Sequence, residues 1–517
     1  FVFKIMLRRI LKYSSIGVGV GVAGGCAAVL HANEWRVSNL GIVRLGRAAV
    51  TVGSIVVDYK LNLHGATDDN EETVKKWSEV HNRSAHRLLN LCCKNGGVFI
   101  KVGQHIATLE FLVPKEYCNV LKVLHSKAPT STYEEIMNVM KKDLKQNPDD
   151  IFVEFDKEPI GTASLAQVYK AKLKTGEVVA VKVQHPHVRS HSLVDMTTMD
   201  MLVKTVAKIF PEFSFLWLAE QMKLNLPLEL DFIHEAHNAE RVQRMFSCFP
   251  WLKIPEIHWQ YCTERVLTME FLEGGEVTDK SYMERNGINV REISNLIGQL
   301  YSRMIFNEGY VHCDPHPGNI LIRNGSNGVE VVLLDHGLYT TLPENFRHQY
   351  SQLWLAIING DKDAIKKWGQ ELGTGDLYPL LACILAKKPW NTVSAGLANA
   401  DTSNSKKEDE ELRQYAREYF PQIAKILSLV SREMLLVLKT NDLLRGIETS
   451  LGTKGEKRAF ITMSKCCIEA VYETQLKHCH TYLQSLSLNI QRHWTHMKLN
   501  IFQLYLWLMS SLFSAYA

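Results

Sequence analysis

The chain has 517 residues, 46% of them apolar, which is enough for two or three domains with real cores. Its 59 basic and 55 acidic residues leave a net charge of +4, which speaks against a dedicated nucleic-acid binder, so no nucleic acid is expected as a partner. The eleven cysteines contain no C-x-x-C pair and read as reduced thiols of an intracellular or organellar protein rather than a secreted disulfide scaffold.

The first stretch, FVFKIMLRRILKYSS, holds Lys4, Arg8, Arg9 and Lys12, and no acid precedes Glu34. Lys4, Arg8 and Lys12 share a helical face, and an acid-free basic amphipathic helix has the composition of a mitochondrial presequence. Residue 1 is Phe, so Met6 or a residue upstream of Phe1 is the expected start. The uncharged run Ile16–Leu30 is shorter than the ~20 residues of a bilayer span. Gly17, Gly21 and Gly25 nevertheless recur along it as the small-residue stripe on which membrane helices pack. Residues 1–33 are therefore expected to send the chain to mitochondria and associate it with the inner membrane, with a buried glycine-rich loop as the alternative.

Residues 34–150 carry apolar positions at three- and four-residue spacing, a helical extension. Residues 151–275 change character: AQVYKAKLKTGEVVAVKVQ alternates on both sides of Thr175-Gly176, a β-hairpin, and RVLTMEF (Arg265–Phe271) is a strand ending at Gly274–Gly275. Residues 276–390 are mainly helical except for strands bracketing GYVHCDPHPGNILI (309–322). Residues 391–412, including NADTSNSKKEDEEL, read as a linker or surface loop, and 413–498 as a helical region. The apolar tail 499–517 is either a helix on the body or a second membrane contact. This order gives an α+β fold: a small β-containing lobe followed by a mainly helical one, the arrangement that a two-lobed, protein-kinase-like fold would need, with a helical N-terminal extension and extra C-terminal helices.

Chemistry concentrates in a few stretches. Gly161–Val168, GTASLAQV, overlays the phosphate loop G-x-G-x-x-G-x-V with its first Gly and its Val kept and Ala163 and Ala166 at the other glycine positions, Ser164 lying between. Lys182 follows in VAVKV, the strand context of a phosphate-contacting lysine. LPLELDFIHEAHNAERVQRMF (Leu226–Phe246) reads as one helix with Pro227 in its first turn, Glu235 placed to pair with Lys182, and Glu229 and Asp231 placed to face metal or phosphate. The backbone of Glu270–Leu272 is the candidate adenine hinge, with Met269 at the back of the pocket.

The loop at 309–322 admits three readings: phosphoryl transfer, a metal cluster of His312, Cys313, Asp314 and His316, or a polar turn. Consecutive side chains rarely converge on one ion, which weakens the cluster, and His316 is expected to brace the loop. For phosphoryl transfer, Asp314 accepts the substrate proton, while Asn319 and Asp335 of LLDHG hold Mg2+ through oxygen. Cys313 stands where regulated protein kinases carry Arg, and no A-P-E follows at a plausible distance, Leu342-Pro343-Glu344 coming only shortly after Asp335.

With FIKVGQ (Phe99–Gln104), GTASLAQV, VAVKVQHP, LELDF, HCDPHPGN and LLDHG in one order, the chain resembles the UbiB/aarF-domain (ADCK) family of atypical kinases, closest to a mitochondrial branch of it, from about Arg36 to the stretch Leu435–Arg445. The resemblance implies that Lys101 and Gln104 fold over the nucleotide site and obstruct a peptide substrate, and that Glu229 and Asp231 form an E-x-D motif. It implies ATP and Mg2+ as cofactors, kinase or ATPase activity toward a small or lipid-soluble molecule, and roles in mitochondrial lipid homeostasis and cristae maintenance. Protein kinase activity is doubtful on this reading. A nucleotide-gated pseudokinase scaffold for membrane partners and a conventional Ser/Thr protein kinase are the competing expectations.

Overall fold

The computed structural model describes residues 40–62, 71–108, 113–125, 130–210, 216–326, 328–396, 420–453, 457–477, 479 and 481–514. The basic N-terminal segment, the run Ile16–Leu30 and the stretch Asn399–Leu412 lie outside them. Among the described residues no helix is long and apolar enough to cross a membrane.

The extension begins with α1 (Gly41–Asn62), α2 (Glu71–Asn95), α3 (Val98–Thr108) and α4 (Lys115–Leu121). They share a core of Ala48, Leu91, Cys92, Phe99, Ile100, Leu121 and Leu124. α3 carries the sequence FIKVGQ and packs closely enough that a Cβ at Gly103 would lie 2.4 Å from Leu124 Cδ1 and 3.1 Å from Cys92 Sγ. A side chain there would force Leu124 and Cys92 to shift in the extension's core.

A five-stranded antiparallel sheet follows, built from β1 (Phe152–Phe155), β2 (Gly161–Thr162), β3 (Ala166–Leu173), β4 (Val178–Gln184) and β6 (Val266–Glu270). The alternation of AQVYKAKL matches its pleat, and Lys182 sits opposite Val168 and Leu267 in the register. α5 (Tyr133–Leu144) covers one face. Its start is set by a capping box, with Glu135 N donating to Thr132 Oγ1 and Thr132 N to Glu135 Oε2. Ile136, Val139 and Met140 of α5 pack on Tyr169, Leu173, Val181 and Val183.

Between β4 and β6 come α6 (Val188–Ile209), α7 (Leu216–Glu229) and α8 (Phe232–Met245). The single helix expected from Leu226 is in fact two. Pro227 lies in the last turn of α7, and the chain breaks at Leu230–Asp231 before α8 starts. α6 and α7 form the insertion that separates Lys182 from Glu235 in sequence. α6 is tied to the extension by Arg44, whose Nε and Nη2 donate to Asp195 at 2.7 and 2.5 Å, both side chains buried.

The second lobe is mainly helical, around α9 (Val290–Ser302), α10 (Glu344–Asn359), α11 (Lys362–Glu371), α12 (Tyr378–Ala386), α13 (Arg432–Leu451) and α14 (Lys457–Lys477), which share one large core. A long helix, α15 (Tyr482–Ser514), follows. Two small sheets are set into this lobe. One has the order β5 (Leu252–Lys253), β10 (Gly328–Leu333), β9 (Ile320–Gly325), β7 (Gly275–Glu276); the other pairs β8 (Tyr310–His312) with β11 (Tyr339–Thr341). Gly275 is thus a strand residue paired with Ile322 rather than part of a free break.

Candidate active site

Two antiparallel pairings assemble the polar loop. Hairpin β9–β10 starts just after Asn319 and ends just before Asp335, with Ile320 opposite Leu333 and Leu334 N donating to Asn319 O at 2.9 Å. Residues sixteen apart in sequence are thereby brought to one end of one hairpin. β8 pairs with β11, His312 opposite Tyr339, and Cys313 N donates to Leu338 O at 3.0 Å, which sets Asp314 beside the chain that follows Asp335. A π-helical turn, Arg303–Glu308, ends at Gly309 with φ 67°, a left-handed position that turns the chain into β8.

Lys182 reaches across from the first sheet. Its Nζ lies 2.7 Å from Glu235 Oε1 and 3.6 Å from Asp335 Oδ2. Glu235 also accepts from His336 N at 3.3 Å, and Asn238, one turn further along α8, donates to His336 O at 2.9 Å. Tyr310 OH in turn donates to Asn238 Oδ1 at 2.7 Å, so one face of α8 is bonded both to β8 and to the segment between β10 and β11. Asp335 Oδ1 accepts from Gly337 N at 2.9 Å.

The charges are set by burial opposed by partners. Burial acts to raise Asp335, but Lys182 and the Gly337 N–H outweigh it and hold the carboxyl at about 2. Glu235 is the reverse case: burial pushes it up to about 7 against the pull of Lys182. Burial lowers Lys182, yet Asp335 and Glu235 together keep its ammonium above the ordinary lysine value.

Lys101 lies over Asp314. Its Nζ is 2.8 Å from Glu229 Oε2 and 3.2 Å from Asp314 Oδ2. A second ammonium, Lys439 of α13, donates to Asp314 Oδ1 at 2.9 Å. Burial would raise Asp314, but Lys439 and then Lys101 drive it well below the usual carboxylate range. The extension meets the loop once more, where the rings of His125 and His316 stack at 4.4 Å and 9°. His316 Nδ1 also accepts from Gly318 N at 3.2 Å, the bracing expected of it. Asn319 Nδ2 points to Asp314 O at 3.5 Å.

Several expected residues are placed differently. Gln104 does not reach the loop; its Nε2 donates to Leu124 O at 2.9 Å, within the extension. Asp231 does not face the site either. It is the N-cap of α8, its Oδ1 accepting from Ile233 N at 3.0 Å and His234 N at 3.4 Å, because the helix starts after it. Of the E-x-D pair, Glu229 alone joins the cluster. Glu270 turns its carboxylate to Lys253 at 2.8 Å and to Glu256 N at 3.2 Å, while Met269 and Leu272 are buried.

The alanine loop is closed on itself. Gly161 pairs with Val168, and Ala163 N donates to Ala166 O at 2.8 Å. Ser164 is buried, and Leu165 anchors the turn in an apolar cluster with Val98, Val188, Leu226 and Leu230. His312 and Cys313 diverge from Asp314. His312 Nδ1 hydrogen-bonds Tyr301 OH at 2.7 Å, and Cys313 packs with Leu338 and Leu436. After Asp335, the chain reaches α10 through β11 alone, which leaves no peptide-binding activation segment there.

Sequence reasoning missed Lys439 and the tether from Asn238 to His336. Residues 123–369 match the ABC1 atypical kinase-like domain. The AarF domain-containing kinase 1 of Drosophila melanogaster is 48% identical over 512 residues, covering 98% of each chain. The AarF domain-containing protein kinase 1 of Gallus gallus is 47% identical over 509 residues, covering 98% of this chain and 97% of its own. A solved Mycobacterium tuberculosis structure, a complex with erythromycin, aligns at a TM-score of 0.43 and 20% identity over 73% of this chain and 95% of that one. With close to half of all positions identical along nearly the whole length of these relatives, the chain belongs to the ABC1/AarF family of atypical kinase-like proteins.

Proposed function

We propose that this chain is an atypical kinase or ATPase that binds Mg-ATP and acts on a small or lipid-soluble molecule. The observation that carries the reading is the Lys182 ammonium, 2.7 Å from Glu235 and 3.6 Å from Asp335, the arrangement that kinase phosphoryl transfer requires of its lysine, helix acid and metal-holding aspartate.

The residues present fit the magnesium and the nucleotide. Asn319 and Asp335 offer oxygen donors at one hairpin end, the hard ligands that magnesium prefers, and they would hold it. Bound there, magnesium neutralises phosphate charge. Lys182 orients the phosphates, Asp314 takes the substrate proton, and the buried Met269 and Leu272 line the adenine side of the cleft. Lys101, seated on Asp314 Oδ2, occupies ground an acceptor hydroxyl would need and must withdraw before transfer; the preference for a small acceptor over a peptide rests on the family resemblance. The same contact favours a second reading, a nucleotide-gated scaffold whose resting state is this closed form.

The proposal extends to place. The acid-free basic N-terminal segment and the glycine-striped run Ile16–Leu30 support a mitochondrial location at the inner membrane; a role in mitochondrial lipid homeostasis and cristae maintenance rests on the family resemblance alone. Turnover of radiolabelled ATP by the full chain, with and without lipid vesicles, tests the activity. Magnesium-dependent release of phosphate, lost in Asp335→Asn, is expected. No turnover under either condition, with nucleotide binding intact, would favour the scaffold.

A further inference from the structure

α13 is an unusual place for a cation. Met434, Leu435, Leu436, Val437, Leu438 and Thr440 are all buried, and Lys439 among them is only 15% exposed. A lysine held in such surroundings requires a partner. Its Nζ has one at 2.9 Å, Asp314 Oδ1. The other oxygen of that carboxylate, Oδ2, faces Lys101 at 3.2 Å. Within HCDPHPGN there is no lysine or arginine, so each cation that meets Asp314 has come from another element.

The two lysines are held differently. Lys101 belongs to the extension, whose other close contact with the loop is the stack of His125 on His316. Lys439 belongs to α13, whose Met434, Leu435, Val437 and Leu438 are part of the core of the helical lobe. Withdrawal of the extension would take Lys101 away and leave Lys439 in place.

We infer that Lys439 is a positioning residue for Asp314: it pins Oδ1 so that Oδ2, once Lys101 withdraws, is the oxygen presented to the substrate hydroxyl. This rests on the phosphoryl-transfer reading. In the step, the hydroxyl proton passes to Oδ2 as the hydroxyl oxygen bonds to the transferred phosphorus and the bond to the departing nucleoside diphosphate oxygen breaks. An unpinned carboxylate swivels about its χ2, and both oxygens then lose the fixed direction that proton transfer in the transition state demands. The C-terminal helices are on this account part of the catalytic apparatus.

The test measures kcat and nucleotide KM for ATP turnover, together with the Mg-ATP-induced thermal shift, in the full chain and its Lys439→Met, Lys439→Arg, Asp314→Asn and Lys439→Met/Asp314→Asn variants. Lys439→Met is expected to lower kcat about tenfold or more, with KM and the thermal shift within about twofold of wild type. Lys439→Arg restores part of the loss, and Lys439→Met adds nothing on the Asp314→Asn background. If Lys439→Met fails to fold, Lys439→Gln carries the same test. A kcat within about twofold of wild type in the Met or Gln variant overturns the inference alone. So does a loss of kcat that matches loss of the nucleotide shift and is equal in the Arg and Met variants, which marks a structural role. A wild-type chain that neither turns over ATP nor shifts with Mg-ATP overturns the phosphoryl-transfer reading, and the inference with it.

Discussion

Glu235 Oε1 accepts from both Lys182 Nζ at 2.7 Å and His336 N at 3.3 Å, so one buried carboxylate joins the first sheet, α8 and the loop that carries Asp335. The side chains of Lys182 and Glu235 are 11% and 2% exposed, and neither can be stranded cheaply. Lys182→Met is expected to destabilise the chain by about 3–5 kcal/mol, because it leaves Glu235 without its partner. Lys182→Met combined with Glu235→Gln is expected to recover much of that loss. Chemical denaturation of wild type, both single variants and the double decides it, and simple additivity of the two losses would contradict the coupling.

The same pair predicts a pH dependence. Glu235 is raised from 4.5 to about 7, so the folded chain holds its proton more tightly than the unfolded chain. Its contribution to stability is therefore present below the unfolded value and is lost as pH rises through about 7. Asp335, lowered from 3.8 to about 2, has the opposite sign: its contribution is present above 3.8 and is lost as pH falls through about 2. The charged form of Glu235 is the one that orients Lys182. Mg-ATP affinity should weaken as pH is lowered from about 8 to about 6 across the range where Glu235 takes its proton. Calorimetric titration should find that slope flattened in Glu235→Gln; an unchanged slope would assign the titration to another group.

Asp231 separates a cap from a ligand. As the N-cap of α8 it should cost about 1 kcal/mol of stability when replaced by alanine, leaving Mg-nucleotide affinity nearly unchanged. Glu229→Ala should instead release Lys101 and alter turnover. Denaturation and nucleotide titration of the two variants distinguish these roles. A large loss of magnesium-dependent affinity in Asp231→Ala would restore Asp231 to the site.

What the sequence made legible follows from how local each signal is. Lys182, Asp314, Asn319 and Asp335 each lie in a strand or loop whose alternation and turn residues define it; antiparallel pairing brings the last three together, and Lys182 meets them from the first sheet. Glu235 was legible through helical spacing. Asp231 is a cap rather than the expected ligand because Pro227 suits a first turn but here occupies a last one, which moves the helix start from Leu226 to Phe232. Lys439 was not legible as a site residue. It meets Asp314 across 125 residues, and only the run of buried apolar neighbours before it hinted that its charge needed a partner.

The closed loop and the extension should restrain protein phosphorylation together. Ala163 N is engaged by Ala166 O, and its methyl favours negative φ, whereas glycine would free the turn to approach phosphate. Lys101→Ala alone is expected to gain little autophosphorylation, and Lys101→Ala with Ala163→Gly clearly more. Phosphate incorporation across wild type, both singles and the double checks this. Robust peptide phosphorylation by the unaltered chain would contradict the restraint.

The most direct measurement is the thermal shift of the full chain with Mg-ATP, for wild type and Asp335→Asn side by side. A ligand at one hundred times its dissociation constant stabilises a fold by about 2.7 kcal/mol. The account predicts a magnesium-dependent upward shift in wild type that is lost in Asp335→Asn. No shift in wild type, or an equal shift in both, would contradict it.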